Sequence, residues 1–113
     1  MRVLIFESNL MWSSRLAKSV RALGHEALIR TAMPESAEEA QAAIINLGDN
    51  GLPPKPLVEK LHALGLTVIA HAGHKEKDLH ELGKEMNVEI LATNSEITYK
   101  LESLLEKVTN GST

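Results

Sequence analysis

The sequence predicts an α/β fold in which five parallel strands form a doubly wound sheet of order 2-1-3-4-5. Short apolar runs alternate with segments of helical periodicity along the 113 residues, and such alternation is typical of a parallel sheet covered by helices on both faces. The run AAIIN at 42–46 is apolar up to its last residue, as expected for a strand buried on both faces. We expect one domain over residues 1–109 and a disordered C-terminal tail at 110–113.

The chain opens with the pattern of one strand and one helix. Residues 2–6 are a compact apolar run, and either Ser8 or Asn9 is placed to cap the helix that follows. An apolar stripe at i, i+4, i+8 and i+11 begins at Trp12, which we expect in the core. Gly24 then supplies the residue that ends the helix.

The next segment is predicted to add two strands with a weak helix between them. Residues 25–30 give the second strand, and residues 34–40 are expected to form a short helix whose apolar face is only alanine. The strand at 42–46 follows. The turn-rich sequence at 48–54 can form only a loop.

The second half of the chain continues the alternation. A helix that Gly65 ends is followed by a strand at 66–70, a helix at 75–86 with Asn87 as its left-handed cap, a strand at 88–91, and a last helix capped by Asn94 or Ser95. The residues expected on the inner faces of these helices are Leu57, Val58, Leu61, Leu64, Leu79, Leu82, Met86, Ile97, Leu101, Leu104, Leu105 and Val108.

Composition excludes several classes of protein. A net charge of −3 gives no electrostatic reason to expect nucleic acid or an anionic membrane as a partner. No apolar stretch approaches the ~18 residues that span a bilayer. The absence of cysteine excludes disulfides and thiolate chemistry, and we expect a cytoplasmic protein without a cofactor.

Polar residues follow the first and third strands where each one ends. Parallel sheets place their ligands beyond the carboxyl ends of the strands, where the topology reverses. Glu7 and Asn46 occupy these positions, so we expect both side chains at the mouth of a cleft.

The strand ends resemble those of CheY-like receiver domains, the receiver domains of two-component response regulators. Residues 3–9 (VLIFESN) are similar to the family's opening strand, which ends in two acids. Residues 43–46 (AIIN) stand where the family has its phosphoacceptor aspartate. Residues 68–74 (VIAHAGH) look like the strand that ends in the switch threonine or serine, and residues 90–94 (ILATN) look like the strand that carries a lysine. The resemblance covers essentially the whole chain and implies a flavodoxin-like (βα)5 fold and a signalling function.

The residues that carry the family's chemistry are mostly replaced. Asn46 has an uncharged amide, a poor nucleophile, in place of the phosphoacceptor. The other replacements are Ser8 for the second acid, Ala72 for the hydroxyl residue and Thr93 (Asn94 if the register differs by one) for the lysine. The resemblance therefore implies a degenerate pseudo-receiver. We refer to Glu7, Ser8, Asn46, Ala72 and Thr93 as the cleft residues.

Two side-chain questions remain open from the sequence. Glu7 is expected either to be hydrogen-bonded, by Asn46, Ser8 or Lys75, or to bind a cation weakly. Three histidines, His71 and His74 at the end of the fourth strand and His80 on the helix that follows, lack the spacing of a metal site. One or two of them are expected to be partly exposed loop residues. His71 and His74 are the candidate ligand contacts, and His74 is the better one because it should overhang the cleft.

The sequence thus favours a stand-alone receiver-like signalling module that acts through protein partners, is not phosphorylated and is not an enzyme. By resemblance, the contact surface is the fourth helix, fifth strand and fifth helix, the 75–108 face, and homodimerisation through it is expected. The alternative is a small-ligand or metal-binding module that uses Glu7, Asn46, His71 and His74. A small hydrolase or transferase that uses the same cleft has the least support, because no nucleophile with an adjacent base is identifiable.

Overall fold

The computed structural model describes residues 1–49 and 51–110 and contains one five-stranded parallel sheet. Its elements are β1 (Arg2–Phe6), α1 (Leu10–Ala22), β2 (Glu26–Arg30), β3 (Ala42–Asn46), α2 (Pro54–Ala63), β4 (Thr67–Ala72), α3 (Lys77–Glu85), β5 (Ile90–Thr93), α4 (Asn94–Tyr99) and α5 (Leu101–Asn110). The strand order β2-β1-β3-β4-β5 confirms the predicted 2-1-3-4-5 topology and the doubly wound α/β class. No helix in the described ranges has the length and apolar character needed to span a membrane.

Two apolar layers cover the two faces of the sheet. Alternate residues of β1 point in opposite directions, as strand geometry requires: Val3 and Ile5 pack with α1, α4 and α5, whereas Leu4 and Phe6 pack with α2. Val3, Leu4 and Ile5 each expose 0% of their surface. Burial on both faces explains why the strands read as continuous apolar runs rather than alternating ones.

The helix expected at residues 34–40 is absent, which corrects that prediction. Instead, Glu38 and Glu39 adopt left-handed backbone conformations, with φ of 52° and 62°. The Arg30 guanidinium donates two hydrogen bonds to the Glu38 carboxylate, at 2.9 and 2.7 Å. The segment also forms hydrogen bonds between Gln41 and the backbone of Arg2, so it makes tertiary contacts in place of the bonds within a helix.

The predicted last helix is divided into α4 and α5 at Lys100, whose φ is −125°. Its N-cap is Thr93 rather than Asn94 or Ser95, because the Thr93 hydroxyl accepts a hydrogen bond from Glu96 N at 3.1 Å. The apolar stripe continues across the break, so the sequence pattern did not reveal it. The described part of the chain has five helices, as many as the sequence predicted, because the division of the last helix makes up for the missing helix before β3.

The ends of the elements confirm part of the prediction and correct part of it. Asn9, not Ser8, caps α1, accepting from Trp12 N at 3.0 Å, and Asn87 has the expected left-handed φ of 57°. Trp12 is 39% exposed and therefore is not a core residue. Of the predicted tail, Asn110 is the last residue of α5, and residues 111–113 lie outside the described residues.

Candidate functional site

Three polar residues lie side by side at the carboxyl edge of the sheet. Pairing of Phe6 with Ile45 places Glu7 next to Asn46, and Asn46 pairs directly with His71 of β4. Ile5, two residues before Glu7, lies in the apolar layer of α1, α4 and α5. Because side chains alternate along a strand, Glu7, Asn46 and His71 point to that same face.

The Glu7 carboxylate is buried and hydrogen-bonded. It is 6% exposed, and Asn46 Nδ2 donates to its Oε1 at 2.8 Å. Its Oε2 accepts from the backbone N–H of Asn9 at 3.2 Å. A carboxylate desolvated at this depth needs such donors. Asn46 is thus one of the partners predicted for Glu7, and neither Ser8 nor Lys75 takes that role.

The Asn46 amide is engaged at both of its ends. Nδ2 donates to Glu7, and Oδ1 accepts from the backbone N–H of Gly48 at 2.9 Å. This pattern also fixes the orientation of the amide, since the nitrogen must face the carboxylate. Asn46, which the resemblance places at the phosphoacceptor position, therefore carries no charge, and its amide nitrogen and oxygen both take part in hydrogen bonds.

A second carboxylate reaches the cleft from a position that the sequence analysis did not select. Asp49 Oδ2 accepts from Ser8 N at 2.9 Å, and the Ser8 hydroxyl donates to Asp49 Oδ1. Asp49 Oδ1 also accepts from Gly51 N at 3.3 Å, the local bond of an Asx turn. The Asp-x-Gly spacing in the turn-rich loop is typical of an Asx turn, and it is the feature of the sequence from which the turn at Asp49 could have been predicted. Asp49 consequently places a carboxylate beside Ser8, the residue that the resemblance compares with the second acid.

A cavity of about 30 Å³ lies between the ends of β1 and β3, room for one or two water molecules. Glu7, Ser8, Asn46 and Asp49 form its polar side, Phe6, Ile45, Leu52 and Leu57 form its apolar side, and Arg30 lies at its margin. The cavity is too small for a nucleotide or a flavin.

His71 is a buried strand residue, which corrects its assignment as a partly exposed loop histidine. It is 4% exposed, and its Nδ1 lies 2.7 Å from Asn94 Oδ1, so Nδ1–H is the donor. Burial lowers the pKa of His71, and this effect exceeds the opposing influence of the Asn94 hydrogen bond and of the nearby Glu7 charge. His71 is therefore neutral at pH 7.

His74 does not overhang the cleft, in contrast to the prediction. It is exposed and lines an open groove of about 440 Å³ between α3 and β5 together with Lys77, His80 and Lys84. His80 is fixed there, its Nε2 lying 3.1 Å from the carbonyl oxygen of Gly73. Within residues 1–49 and 51–110, no three His, Asp or Glu side chains are arranged to hold a metal ion.

The last two cleft residues belong to β4 and β5. Ala72 is fully buried and pairs with Thr93 in the sheet. The Thr93 hydroxyl is occupied by its role as the N-cap of α4, where Thr93 N also donates to Glu96 Oε1 at 3.0 Å. Ala72 therefore offers only a methyl group, and the Thr93 hydroxyl is already hydrogen-bonded. Neither residue has a positively charged side chain.

A comparison with protein-family models finds no match, and a comparison with curated proteins finds none. Solved structures are similar. A response regulator receiver protein from Pseudoalteromonas atlantica matches with a TM-score of 0.77 and 15% identity over 100% of both chains. A CheY-like receiver domain protein from Methanospirillum hungatei matches with a TM-score of 0.78 and 18% identity, over 96% of this chain and 94% of that one. FixJ-N matches with a TM-score of 0.82 and 11% identity, over 96% of this chain and 93% of that one. The chain therefore has the flavodoxin-like fold of the CheY-like receiver domains.

Proposed function

We propose that this chain is a stand-alone receiver-like signalling module that acts through protein–protein contacts and is not phosphorylated at its cleft. The observation that carries the proposal is the Asn46 amide, hydrogen-bonded to Glu7 at one end and to Gly48 at the other. The fold supports a signalling role, and the amide supports the absence of phosphoryl transfer.

The remaining cleft residues support the same conclusion. Phosphoryl transfer to a receiver needs a carboxylate oxygen as the acceptor and charge neutralisation by a divalent cation and a basic side chain. Both oxygens of Glu7 already accept hydrogen bonds, and the Ser8 hydroxyl is engaged by Asp49. Thr93 stands in place of the basic side chain. We therefore propose that the module is not an enzyme and works as a binding surface.

Intact-mass measurement after incubation with acetyl phosphate and Mg²⁺ tests this proposal. The unmodified protein should gain no phosphoryl mass, because the amide cannot act as the acceptor. The matched variant Asn46→Asp restores the carboxylate and shows whether the rest of the cleft can still support transfer. A stable mass gain of the unmodified protein that is lost in Glu7→Gln would contradict the proposal.

We further propose the 75–108 face as the contact surface, now comprising α3, β5, α4 and α5. Its groove is lined by charged or titratable side chains of both signs and by apolar ones, the mixture of charge and apolar area that protein interfaces contain. These are Lys77, Lys84, His74, His80, Glu81 and Glu96, with Leu91 and Ala92. One structurally similar chain is described as the beryllofluoride-activated NtrC4 receiver domain dimer, with a TM-score of 0.73 and 12% identity. Self-association through this face is the corresponding expectation here.

Sedimentation velocity over a range of protein concentrations tests the association. Lys84→Glu in the groove should weaken self-association, whereas Lys18→Glu on the exposed side of α1 should leave it unchanged. Equal effects of the two substitutions would remove the support for the 75–108 face.

The ligand- or metal-binding alternative has less support, because its four residues are divided between two places. Glu7 and Asn46 line the small cavity, and His74 lines the separate groove on α3. Titration with zinc at micromolar concentration, followed by NMR, tests this alternative. Coincident shifts at Glu7 and His74 would favour it.

A further inference from the structure

The segment between β2 and β3 has a sequence that favours a helix and a structure that is not helical. Residues 34–41 read PESAEEAQ. Alanine, glutamate and glutamine are good helix formers, and proline is favoured at the first position of a helix. Nevertheless, the described residues between Arg30 and Ala42 contain no helix. Such a conflict between local preference and structure often marks a functional or strained segment.

The backbone of this segment is strained at two successive positions. Glu38 and Glu39 have φ of 52° and 62°, the left-handed region that a side chain with a Cβ atom disfavours. Neither residue is glycine or asparagine, which tolerate this region best. Conformations of this kind persist only where surrounding contacts hold them.

Two arginines hold the strained residues. Arg30 makes a bidentate pair with Glu38, through Nε at 2.9 Å and Nη2 at 2.7 Å, and this pair raises the pKa of Arg30 and lowers the pKa of Glu38. Arg2 Nη1 donates to the carbonyl oxygen of Glu38 at 2.6 Å. The Arg30–Glu38 pair is the contact that fixes the side chain, and a helix would have to break or reposition it.

A helical form of the segment could keep its apolar contacts. Ala37 and Ala40 are half-buried and pack on the layer that contains Leu4 and Phe6. Residues three apart lie on one face of a helix, so both alanines could still face the sheet after the change. The helical form would relieve the left-handed backbone but would lose the arginine contacts of Glu38, and Gln41 would have to keep or give up its hydrogen bonds to the backbone of Arg2.

We propose that residues 34–41 are a two-state segment, held in the strained coil by the Arg30–Glu38 pair and converted to a helix when that pair is broken. The change would reach the cleft, because Arg30 lies at the margin of the cavity formed by Glu7 and Asn46. This device goes beyond the proposed function and does not depend on it. It would give the module a conformational switch without a phosphoryl group.

Backbone chemical shifts of the variant Arg30→Gln test the proposal. We expect positive Cα secondary shifts of helical size across residues 35–40 and a gain in far-UV helical signal equivalent to about two turns. Lys18→Gln, which removes an exposed cation from α1, is the matched control and should leave the segment as in the unmodified protein. Coil shifts that persist in a folded Arg30→Gln protein would overturn the proposal.

Chemical-exchange saturation transfer on the unmodified protein decides the question if Arg30→Gln does not fold. A minor state with helical shifts at Ala37 and Ala40 supports the two-state segment, and its population should rise in Glu38→Gln, which weakens the same pair. Absence of a helical minor state in both proteins would overturn the proposal.

Discussion

The imidazole of His71 is enclosed between β3 and the start of α4, and this burial couples folding to pH. Since the pKa of His71 is lowered in the folded protein by burial, the unfolded chain binds its proton at a higher pH than the folded one. The free energy of unfolding is then unaffected above about pH 6.5, and falls as the pH drops from there towards the folded pKa.

We expect His71→Gln to reduce this loss of stability, because glutamine can still donate to Asn94 but does not titrate. Urea unfolding at pH 7.5 and at pH 5.5 measures the loss of unfolding free energy for each protein. His74→Gln is the control, since His74 is exposed. The interpretation would be contradicted if His71→Gln and the unmodified protein lost equal stability on acidification.

At the scale of single residues, the sequence predicted contacts between neighbouring strand ends better than contacts made by loops. Glu7 and Asn46 end adjacent strands, so their proximity follows from the sheet order. The contact of Asp49 with Ser8 depends on the path of a loop, which no periodicity describes. The burial of His71 was missed because β4 continues past residue 70, where its apolar run ends.

At the junction of β5 and α4, Thr93 acts as a helix cap, a role that the resemblance to receiver domains did not suggest. Thr93 and Glu96 form a reciprocal capping box. Thr93→Ala should lower the free energy of unfolding by about 1 kcal/mol, and Thr93→Ser, which keeps the oxygen, should lower it less. Chemical denaturation at pH 7 measures both variants, and equal losses would show that the hydroxyl does not act as the cap.

The same capping box has a defined pH dependence. The hydrogen bond from Thr93 N lowers the pKa of Glu96 below its ordinary value of 4.5. The resulting stabilisation is complete above that ordinary value and is lost as the pH falls through the folded pKa. We therefore expect the difference in unfolding free energy between the unmodified protein and Glu96→Gln to shrink between pH 6 and pH 3. A constant difference across that range would exclude a contribution from the charge.

Packing of α3 against β5 depends on a residue without a side chain. A Cβ atom on Gly83 would lie 2.7 Å from Leu91 Cδ1. The crowded atom ends the Leu91 side chain, so Gly83→Ala should force Leu91 into another rotamer, and this cost should offset the better helix propensity of alanine. In a Leu91→Ala background the same substitution should stabilise the protein, with a coupling of about 1 kcal/mol in a double-mutant cycle. Additive effects would mean that α3 shifts to accommodate the methyl group.

The two errors at the level of helices have different physical causes. The helix expected at 34–40 was predicted from its opening at Pro34 and an apolar face of alanine only, and the segment instead contacts Arg30 and Arg2 through Glu38. The last helix was predicted from an apolar stripe that α4 and α5 share across Lys100. An apolar stripe indicates which residues face the core, and the same residues face the core whether or not the helix is interrupted at Lys100.

At the scale of the whole molecule, a cation that binds in the cleft of the folded protein but not to the unfolded chain would stabilise the entire domain. Replacement of Asn46 by aspartate would set a second carboxylate at the position from which Nδ2 now donates to Glu7 at 2.8 Å. Two adjacent carboxylates repel, and a divalent cation between them would relieve the repulsion. A loss of about 1 kcal/mol lowers the Tm of a domain slightly longer than 100 residues by roughly 4 °C.

We therefore expect Asn46→Asp to melt at a lower temperature than the unmodified protein without Mg²⁺ and to regain stability as Mg²⁺ is added. At a cation concentration a hundred times the Kd, the gain would be about 2.7 kcal/mol. The unmodified protein should respond little, because the buried Glu7 already accepts from Asn46 and from Asn9 N, and Asp49 already accepts from Ser8. Differential scanning calorimetry with and without Mg²⁺ measures the Tm of both proteins. Ca²⁺ is tested in the same way, and NaCl at equal ionic strength is the control that separates binding of a divalent cation from the effect of ionic strength. If the unmodified protein rose in Tm with Mg²⁺ as much as the variant, its cleft would bind the cation, and the account of a cleft without receiver chemistry would fail.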